Sequence, residues 1–363
     1  MSEFNKNQVM LALCYISYYG YSLTGDDSKN AQRIAKLIDE ALLEWKPVKD
    51  QWQRVWGPAV FALPGTKFDD SLVYVVQNTQ HLHEYAVVVR GTNPVSIPNW
   101  VIWDFQAKDL KVWPFFEGDT AGKTDSELPC LSESSYFGIN IIQTLRPPIN
   151  KVPTDRSERG LARFNERHAD VRAVNQSLLE FFNEAQNNSA QPLNITTTGH
   201  SLGGALSPLV ALWLKQEQHS QFTKSTFTTV TFAGPTSGNS TFANYFNQQL
   251  PNAMTRVAND LDIVTLAWNE AQMKKMFSVY LWEIPPLLPL PPVWLMLEIL
   301  KSRAKGKDYQ HLTDDSATFP GEFAHFAIPY ITQALYQHVV SYPKLLDIED
   351  DIPLDSWLPF HVF

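Results

Sequence analysis

A serine, a few aspartates and nine histidines frame the chemistry open to this chain. Gly199-His200-Ser201-Leu202-Gly203 sets Ser201 between two glycines, with the apolar and β-branched run Leu193 to Thr198 before it and Gly204 to Leu214 after it. In a strand, tight turn and helix, a G-x-S-x-G pentapeptide is a nucleophile elbow: the serine sits in a strained backbone conformation and its Oγ projects out of the sheet. Glycine on either side leaves no Cβ to clash where strand and helix pass closely. A serine hydroxyl is a weak nucleophile at neutral pH. Hydrolysis through Ser201 therefore needs a histidine to take its proton and a carboxylate to hold that histidine.

An elbow serine is followed in the chain by the acid and then by the histidine. Arg256 to Val264 offers a strand end followed by two carboxylates, Asp260 and Asp262. Pattern alone does not choose between them, and one of the two serves the turn. Past them come His311, His325, His338 and His361, of which His325 and His338 border helical stretches with apolar neighbours. His200 lies within the elbow, facing away from the nucleophile. His168 and His219 precede or closely follow the serine, so chain order disfavours both.

The elements that must position these groups alternate. Residues 6 to 20 and 29 to 46 carry helical periodicity, the second ending at Pro47, and form a helical N-terminal cover over residues 1 to 50. Strands are predicted over 55–63, 71–77 and 84–90, the last with the continuous apolar run Ala86 to Val89 of a buried central strand. From 93 to 117 the chain turns aromatic, with Trp100, Trp103 and Trp113 in a predicted loop that either packs on the core or forms a mobile apolar flap. Helices follow over 132–145 and 168–185, separated by a charged stretch with Arg156, Arg159, Arg163 and Arg167 that reads as solvated. After the elbow come a strand over 225–232, a helix over 240–250 and a strand over 253–258. Such alternation implies parallel pairing in a doubly wound sheet. The Pro-rich insertion within 265–310 has the length of a membrane helix across 281–300, but Glu283, Glu298 and five prolines argue against spanning. It reads as packed insertion or as surface touching an interface. A long helical stretch over 323–346, bent at Pro329, precedes an acidic and then apolar tail whose docking place the pattern leaves open.

Composition bounds the function. The chain has 363 residues, 44% hydrophobic and 18% charged, and reads as one α/β domain with insertions. A net charge of -9 without a basic patch disfavours nucleic acid as a partner. Cys14 and Cys130 are far apart, which points to two reduced thiols and to neither a disulfide framework nor a zinc site. No phosphate-binding glycine loop stands out, and no metal or organic cofactor is expected. The N-terminal apolar run breaks into Tyr15, Ser17, Tyr18, Tyr19 and Tyr21, unlike a signal peptide. The compartment and any export route stay open.

Several segments in this order resemble the class 3 lipase family of α/β-hydrolases. They are Val87-Val88-Val89-Arg90-Gly91-Thr92, Asn99-Trp100, Thr198 to Ala205 around the elbow, Thr231-Phe232-Ala233-Gly234-Pro235 with Gly238-Asn239, and Arg256 to Val264. Their joint order is more specific than any one of them. The resemblance implies an α/β-hydrolase fold: a mostly parallel central sheet flanked by helices, with a lid after the third predicted strand. It implies that the last Asp of R-x-x-N-x-x-D-x-V, here Asp262, is catalytic and that Asp260 is a loop residue. The segment Gln337-His338 to Tyr342 is similar to the Q-H-x-x-x-Y stretch of bacterial members, which prefers His338 and keeps His325 in reserve. An oxyanion hole from the N–H groups of Leu202 and Thr92 is implied, with the Thr92 hydroxyl as a further donor; such donors contribute about 3 to 4 kcal/mol each. Asn99, Trp100 and Trp103 become lid residues. The implied activity is hydrolysis of lipid esters, triacylglycerols foremost, at an oil or micelle surface with peripheral lipid contact only. A soluble carboxylesterase, thioesterase or phospholipase of the same fold, or a silent lipid-binding relative, are the alternatives. Thr265 stands where the family often has Pro, and Pro208 lies in the first turns of the helix after the elbow.

Overall fold

Side-chain alternation in the apolar strands divides the interior into two cores. In the strand Glu84–Val89, Val87 and Val89 enter one cluster while Ala86 and Val88 enter another. The strand Ser71–Asn78 divides its Val73 and Val75 from Leu72, Tyr74 and Val76 in the same way. With period-2 geometry this means that both faces of the sheet are covered, which is why these strands are continuously apolar.

The computed structural model describes residues 4–21, 23, 27–61, 71–92, 109–147, 175–217, 225–282, 288–313, 317–327 and 329–353. Its strands are β1 (Trp52–Phe61), β2 (Ser71–Asn78), β3 (Glu84–Val89), β4 (Leu110–Val112), β5 (Cys130–Ser132), β6 (Asn194–His200), β7 (Thr226–Phe232), β8 (Gly238–Asn239), β9 (Met254–Asn259), β10 (Tyr309–Gln310) and β11 (Ala317–Phe319). The central sheet has the order β1-β2-β3-β6-β7-β9-β11. From β3 to β11 every pairing is parallel, and β1-β2 and β2-β3 are antiparallel. This is the α/β-hydrolase architecture that the motif order implies. A smaller sheet, β10-β8-β5-β4, lies beside it. Asn239 secures that sheet: its Oδ1 accepts from the N–H groups of Cys130 and Phe242, and its Nδ2 donates to the Asp125 and Leu128 carbonyls.

Helices are α1 (Lys6–Ile16), α2 (Asp27–Glu44), α3 (Glu133–Thr144), α4 (Leu178–Asn188), α5 (Leu202–Glu217), α6 (Ser240–Gln249), α7 (Pro291–Ala304) and α8 (Tyr330–Leu335). Helix α1 is more than a cover. Every residue from Val9 to Ile16 is buried, the Leu13 carbonyl accepts from the Tyr74 hydroxyl at 2.6 Å, and Cys14 Sγ lies 3.2 Å from Thr198 Oγ1 on β6. Helix α5 runs straight through Pro208, with every residue from Gly203 to Leu214 buried. The lost backbone bond, about 3 kcal/mol in an exposed helix, is offset by that burial. The buried threonines of β6 are satisfied from β7: Thr197 pairs with Thr229 at 2.9 Å, and the Thr198 hydroxyl donates to the Val230 carbonyl at 2.8 Å.

Three boundaries differ from the sequence expectation. Helix α4 starts at Leu178, where the Ser177 hydroxyl and the Glu180 carboxylate form a capping box, and residues 168–174 lie outside the described ones. The C-terminal helix starts at Tyr330, because Pro329 holds an extended conformation at its N-cap. The aromatic run does not stay loop-like to residue 117. Leu110–Val112 is strand β4, and Trp113 is buried against Phe115 and Phe242 with its Nε1 donating to Gln216 Oε1 at 2.7 Å. Asn99, Trp100, Trp103 and the four arginines of 156–167 lie outside the described residues. The tail does dock: Ile348 and Ile352 join the cluster around α1 and α2. Both cysteines are free and buried, as expected.

Candidate active site

Ser201 leaves β6 in a left-handed conformation, φ +59°. Its N–H donates to the Phe232 carbonyl at the end of β7, and its own carbonyl accepts from the Gly204 N–H. The turn is therefore pinned on both sides of the serine. Gly199 and Gly203 are required by approach: a Cβ on Gly199 would fall on the Gly203 carbonyl, and one on Gly203 on the Val89 carbonyl of β3. Seen from the other strand, an added Cβ at Gly91 would come 2.9 Å from Ser201 Cβ. The Arg90-Gly91-Thr92 exit of β3 thus packs on the turn that carries Ser201.

Three residues distant in the chain then meet in one line. His338 Nε2 is 2.9 Å from Ser201 Oγ, and His338 Nδ1 is 2.9 Å from Asp262 Oδ2. All three are buried, at 2%, 2% and 0% exposure. Facing a carboxylate oxygen, Nδ1 must carry the proton, which leaves the Nε2 lone pair to accept from the serine hydroxyl. Asp262 is itself held: Oδ1 accepts from the Val264 N–H at 2.9 Å, and Oδ2 accepts from the Tyr342 hydroxyl at 2.8 Å. Burial, and next the Asp262 charge, hold the Tyr342 hydroxyl well above its ordinary pKa, so it stays a donor. Thr265, where the family often has Pro, closes this turn by donating from its hydroxyl to the Asp262 carbonyl at 2.7 Å.

The histidine rides on a π-helical turn, Tyr336–Val340, that continues α8 and passes into a last helical turn, Ser341–Leu345. Three consecutive carbonyls of that turn are taken by side chains from elsewhere. Asn259 Nδ2 donates to Gln337, His200 Nε2 to His338 at 2.8 Å, and the Tyr15 hydroxyl to Val339 at 2.6 Å. The π turn offers carbonyls that an α-helix would keep for itself, and the clamp fixes where the imidazole stands. The His200 ring is turned to the Tyr18 hydroxyl and the His338 carbonyl, and so supports His338 from behind. With Nε2 donating, its Nδ1 accepts from the Tyr18 hydroxyl at 2.8 Å, which fixes a neutral ring. Sequence reasoning holds Asn259 and Tyr342 only as positions of the R-x-x-N-x-x-D-x-V and Q-H-x-x-x-Y patterns, without a role, and passes over Tyr15 and Tyr18, which nothing local marks.

The other candidates stand apart. Asp260 is exposed, and its Oδ1 accepts from the Gly321 N–H. His325 is exposed and touches Phe323. His311 is half-buried, 2.9 Å from the Thr265 carbonyl and 3.2 Å from the Arg256 guanidinium. His361 lies outside the described residues. Thr92 is buried, and among the described residues its hydroxyl has no hydrogen-bond partner. No cluster that could hold a metal ion occurs among the described residues.

Burial leaves a pH signature. Burial, and next the neighbouring His338, push His200 well below 6.5, while burial and the Arg256 charge bring His311 down to about 3. Below pH 6.5 the unfolded chain binds protons that these folded histidines refuse, so stability falls as pH falls. Each contributes a slope of up to about 1.4 kcal/mol per pH unit. Urea midpoints should drop from pH 7 to pH 5, and a His311→Gln variant should show a shallower drop. An unchanged slope in that variant would count against this assignment.

Comparison with known proteins follows the geometry. The model of the class 3 lipase family matches residues 152–271. M37 lipase, known from its crystal structure, is 38% identical over 97% of this chain and 95% of its own, with a TM-score of 0.83. Lipase II from Rhizopus niveus (15% identity, 74% of this chain and 75% of its own, TM-score 0.41) is a remoter likeness. So is the triacylglyceride lipase of Rhizomucor miehei (18%, 72% and 72%, TM-score 0.42). No match is found among curated proteins. On the agreement with M37 lipase along nearly its whole length, the chain belongs to the class 3 lipase family and is an ester hydrolase of the α/β-hydrolase fold.

Proposed function

We propose that the chain is a triacylglycerol lipase of the family's bacterial type, folded as a single domain, that acts through Ser201, His338 and Asp262. The observation carrying this reading is the unbroken hydrogen-bonded line from Ser201 Oγ through both ring nitrogens of His338 to Asp262. Ser201 Oγ attacks the ester carbonyl as Nε2 takes its proton. The tetrahedral oxyanion is held by the N–H groups of Leu202 and Thr92. Collapse breaks the ester C–O bond, with the Nε2 proton passing to the leaving alcohol. Water, deprotonated by Nε2, then attacks the acyl-enzyme and releases the fatty acid and Ser201. Asp262 keeps Nδ1 protonated and stabilises the imidazolium at each step. The segment 93–109, which includes Asn99, Trp100 and Trp103, is the proposed lid; Leu110 and Trp113 are anchored by β4 and the core.

A fluorophosphonate should label Ser201, and absence of an adduct would sink the enzyme reading. Rates on esters of rising acyl length, below and above the micelle threshold, should increase with length and with the interface. Turnover confined to short soluble esters would make the protein a carboxylesterase instead.

That the Thr92 hydroxyl has no partner among the described residues supports its use as a third oxyanion donor. Thr92→Val should lower kcat about 10²-fold while leaving the thermal midpoint unchanged or raised, since a buried hydroxyl without a partner contributes nothing to folding. Wild-type kcat in this variant would remove the hydroxyl from the mechanism.

A further inference from the structure

The inner and outer faces of α7 differ in an unusual way. Leu297, Leu300 and Ala304 are buried in the cluster that also holds Ile263, next to Asp262, and Val339, next to His338. The helix is therefore part of the wall beside the reacting groups. Its outer side carries Leu295 and Ile299, one turn apart, and Trp294, at 57%, 44% and 49% exposure. In the preceding chain Leu288, Leu290 and Trp282 are exposed as well, at 63%, 59% and 89%. A soluble protein seldom leaves so many large apolar side chains together in water without a use for them.

Charge says what this surface fits. Between residues 270 and 308 stand Lys274, Lys275, Lys301, Arg303, Lys305 and Lys307, against Glu270, Glu283, Glu298 and Asp308. The segment is net positive on a chain of net charge -9. Lys274 and Lys275 border the turn whose Phe277 packs edge-on against Trp294, and Lys305 follows the last turn of α7. From Pro291 to Leu297 the helix carries no charge. Exposed tryptophan and leucine with a basic rim is the composition of a helix that lies in a lipid headgroup layer. Among the described residues no helix is long and apolar enough to cross a membrane, so α7 would lie on the surface.

We propose that the outer face of α7, with the exposed Leu288 and Leu290 just before it, is the docking surface for an anionic lipid interface, and that it holds the molecule with Ser201 beside that interface. The proposal rests on the lipase reading and specifies which surface meets the lipid.

Flotation of the full chain with vesicles tests it, using Ser201→Ala so that no lipid is consumed. Vesicles of phosphatidylcholine with phosphatidylglycerol should carry the protein, and phosphatidylcholine alone should carry at least fivefold less. The triple variant Trp294→Ser, Leu295→Ser, Ile299→Ser should lose at least tenfold in partitioning. With Ser201 intact, the same triple variant should hydrolyse a monomeric short-chain ester at the wild-type rate, which shows that it is folded. Lys274→Gln with Lys275→Gln and Lys305→Gln should weaken binding to the anionic vesicles only. Wild-type partitioning by the triple variant would overturn the proposal, as would equal binding to both vesicle types. So would a wild-type dimer that this variant dissociates, because the face would then belong to a second copy. Failure of the lipase reading would be visible separately, as absent hydrolysis and absent fluorophosphonate labelling with partitioning unaffected.

Discussion

His338→Ala should lower kcat on a soluble ester by about 10⁴- to 10⁶-fold. In the proposed mechanism the imidazole both accepts the Ser201 proton and returns it to the leaving alcohol, and among the described residues no second base is within reach of Oγ. His200, the nearest other imidazole, has both nitrogens engaged, by the Tyr18 hydroxyl and by the backbone carbonyl of residue 338. That carbonyl survives the substitution, so the π turn stays clamped and the variant should fold. Asp262 keeps its bonds from Val264 and Tyr342 and is not left bare. In that mechanism Ser201 and His338 act as one unit, so Ser201→Ala combined with His338→Ala should be no slower than either alone. His325→Ala should change kcat by less than twofold, since its ring is exposed. Steady-state assays on the purified variants check all three; retention of a tenth of wild-type activity in His338→Ala would refute the assignment.

Asp262→Asn should cost about 10⁴-fold in kcat with a smaller effect on stability. Both oxygens of the carboxylate accept: Oδ1 from the Val264 N–H, Oδ2 from His338 Nδ1–H and the Tyr342 hydroxyl. An amide offers one oxygen and one NH₂. If the NH₂ takes the Oδ1 place it opposes the Val264 N–H, a buried clash of donors costing about 1 to 3 kcal/mol. If it takes the Oδ2 place, the Tyr342 hydroxyl can rotate to accept, but His338 must present a bare Nδ1 and move its proton to Nε2. The imidazole then has no lone pair for the serine. The second arrangement is the cheaper one for folding and the worse one for chemistry, so activity and stability should separate. Asp260→Asn is the control: it keeps an acceptor for the Gly321 N–H and should leave kcat within twofold. Comparable losses in both variants would argue that neither carboxylate is the orienting acid.

The two variants also mark how far the residues can be read without coordinates. Ser201 is legible because its requirements are local: a β-branched strand, glycines on either side where backbones cross, and an apolar helix, all within about twenty residues. The central strands are legible for the same reason, since burial of both faces shows directly as Val-Val-Val. The choice of Asp262 over Asp260, and of His338 over His325, comes from resemblance to a family and not from periodicity. In the structure the difference between the two aspartates is that one points inward to Tyr342 and the other outward to Gly321.

Local pattern misleads where distant residues override it. Residues 6–20 read as an amphipathic cover, yet α1 is buried from Val9 to Ile16 beneath the sheet, where Tyr15 reaches the π turn. The stretch 323–346 reads as one bent helix, whereas it begins only after Pro329 and loosens into a π turn at the histidine. The aromatic run leaves Trp113 between core and flap, and the structure makes it a core residue.

Sequence order alone thus carries the class of fold, the candidate nucleophile and the expectation that an acid and a base follow it, because each of these leaves a local or ordered trace in the chain. Only the folded chain decides which carboxylate and which imidazole complete the site and what holds them there. Hydrogen bonds such as Tyr342 to Asp262 or His200 to the His338 carbonyl join residues 80 and 138 positions apart. Separations of that size have no period to betray them. They exist only where packing of α1, β6 and the π turn brings the partners within 3 Å. The elbow at Ser201 can be found by reading, but the line that activates it is made by tertiary contact.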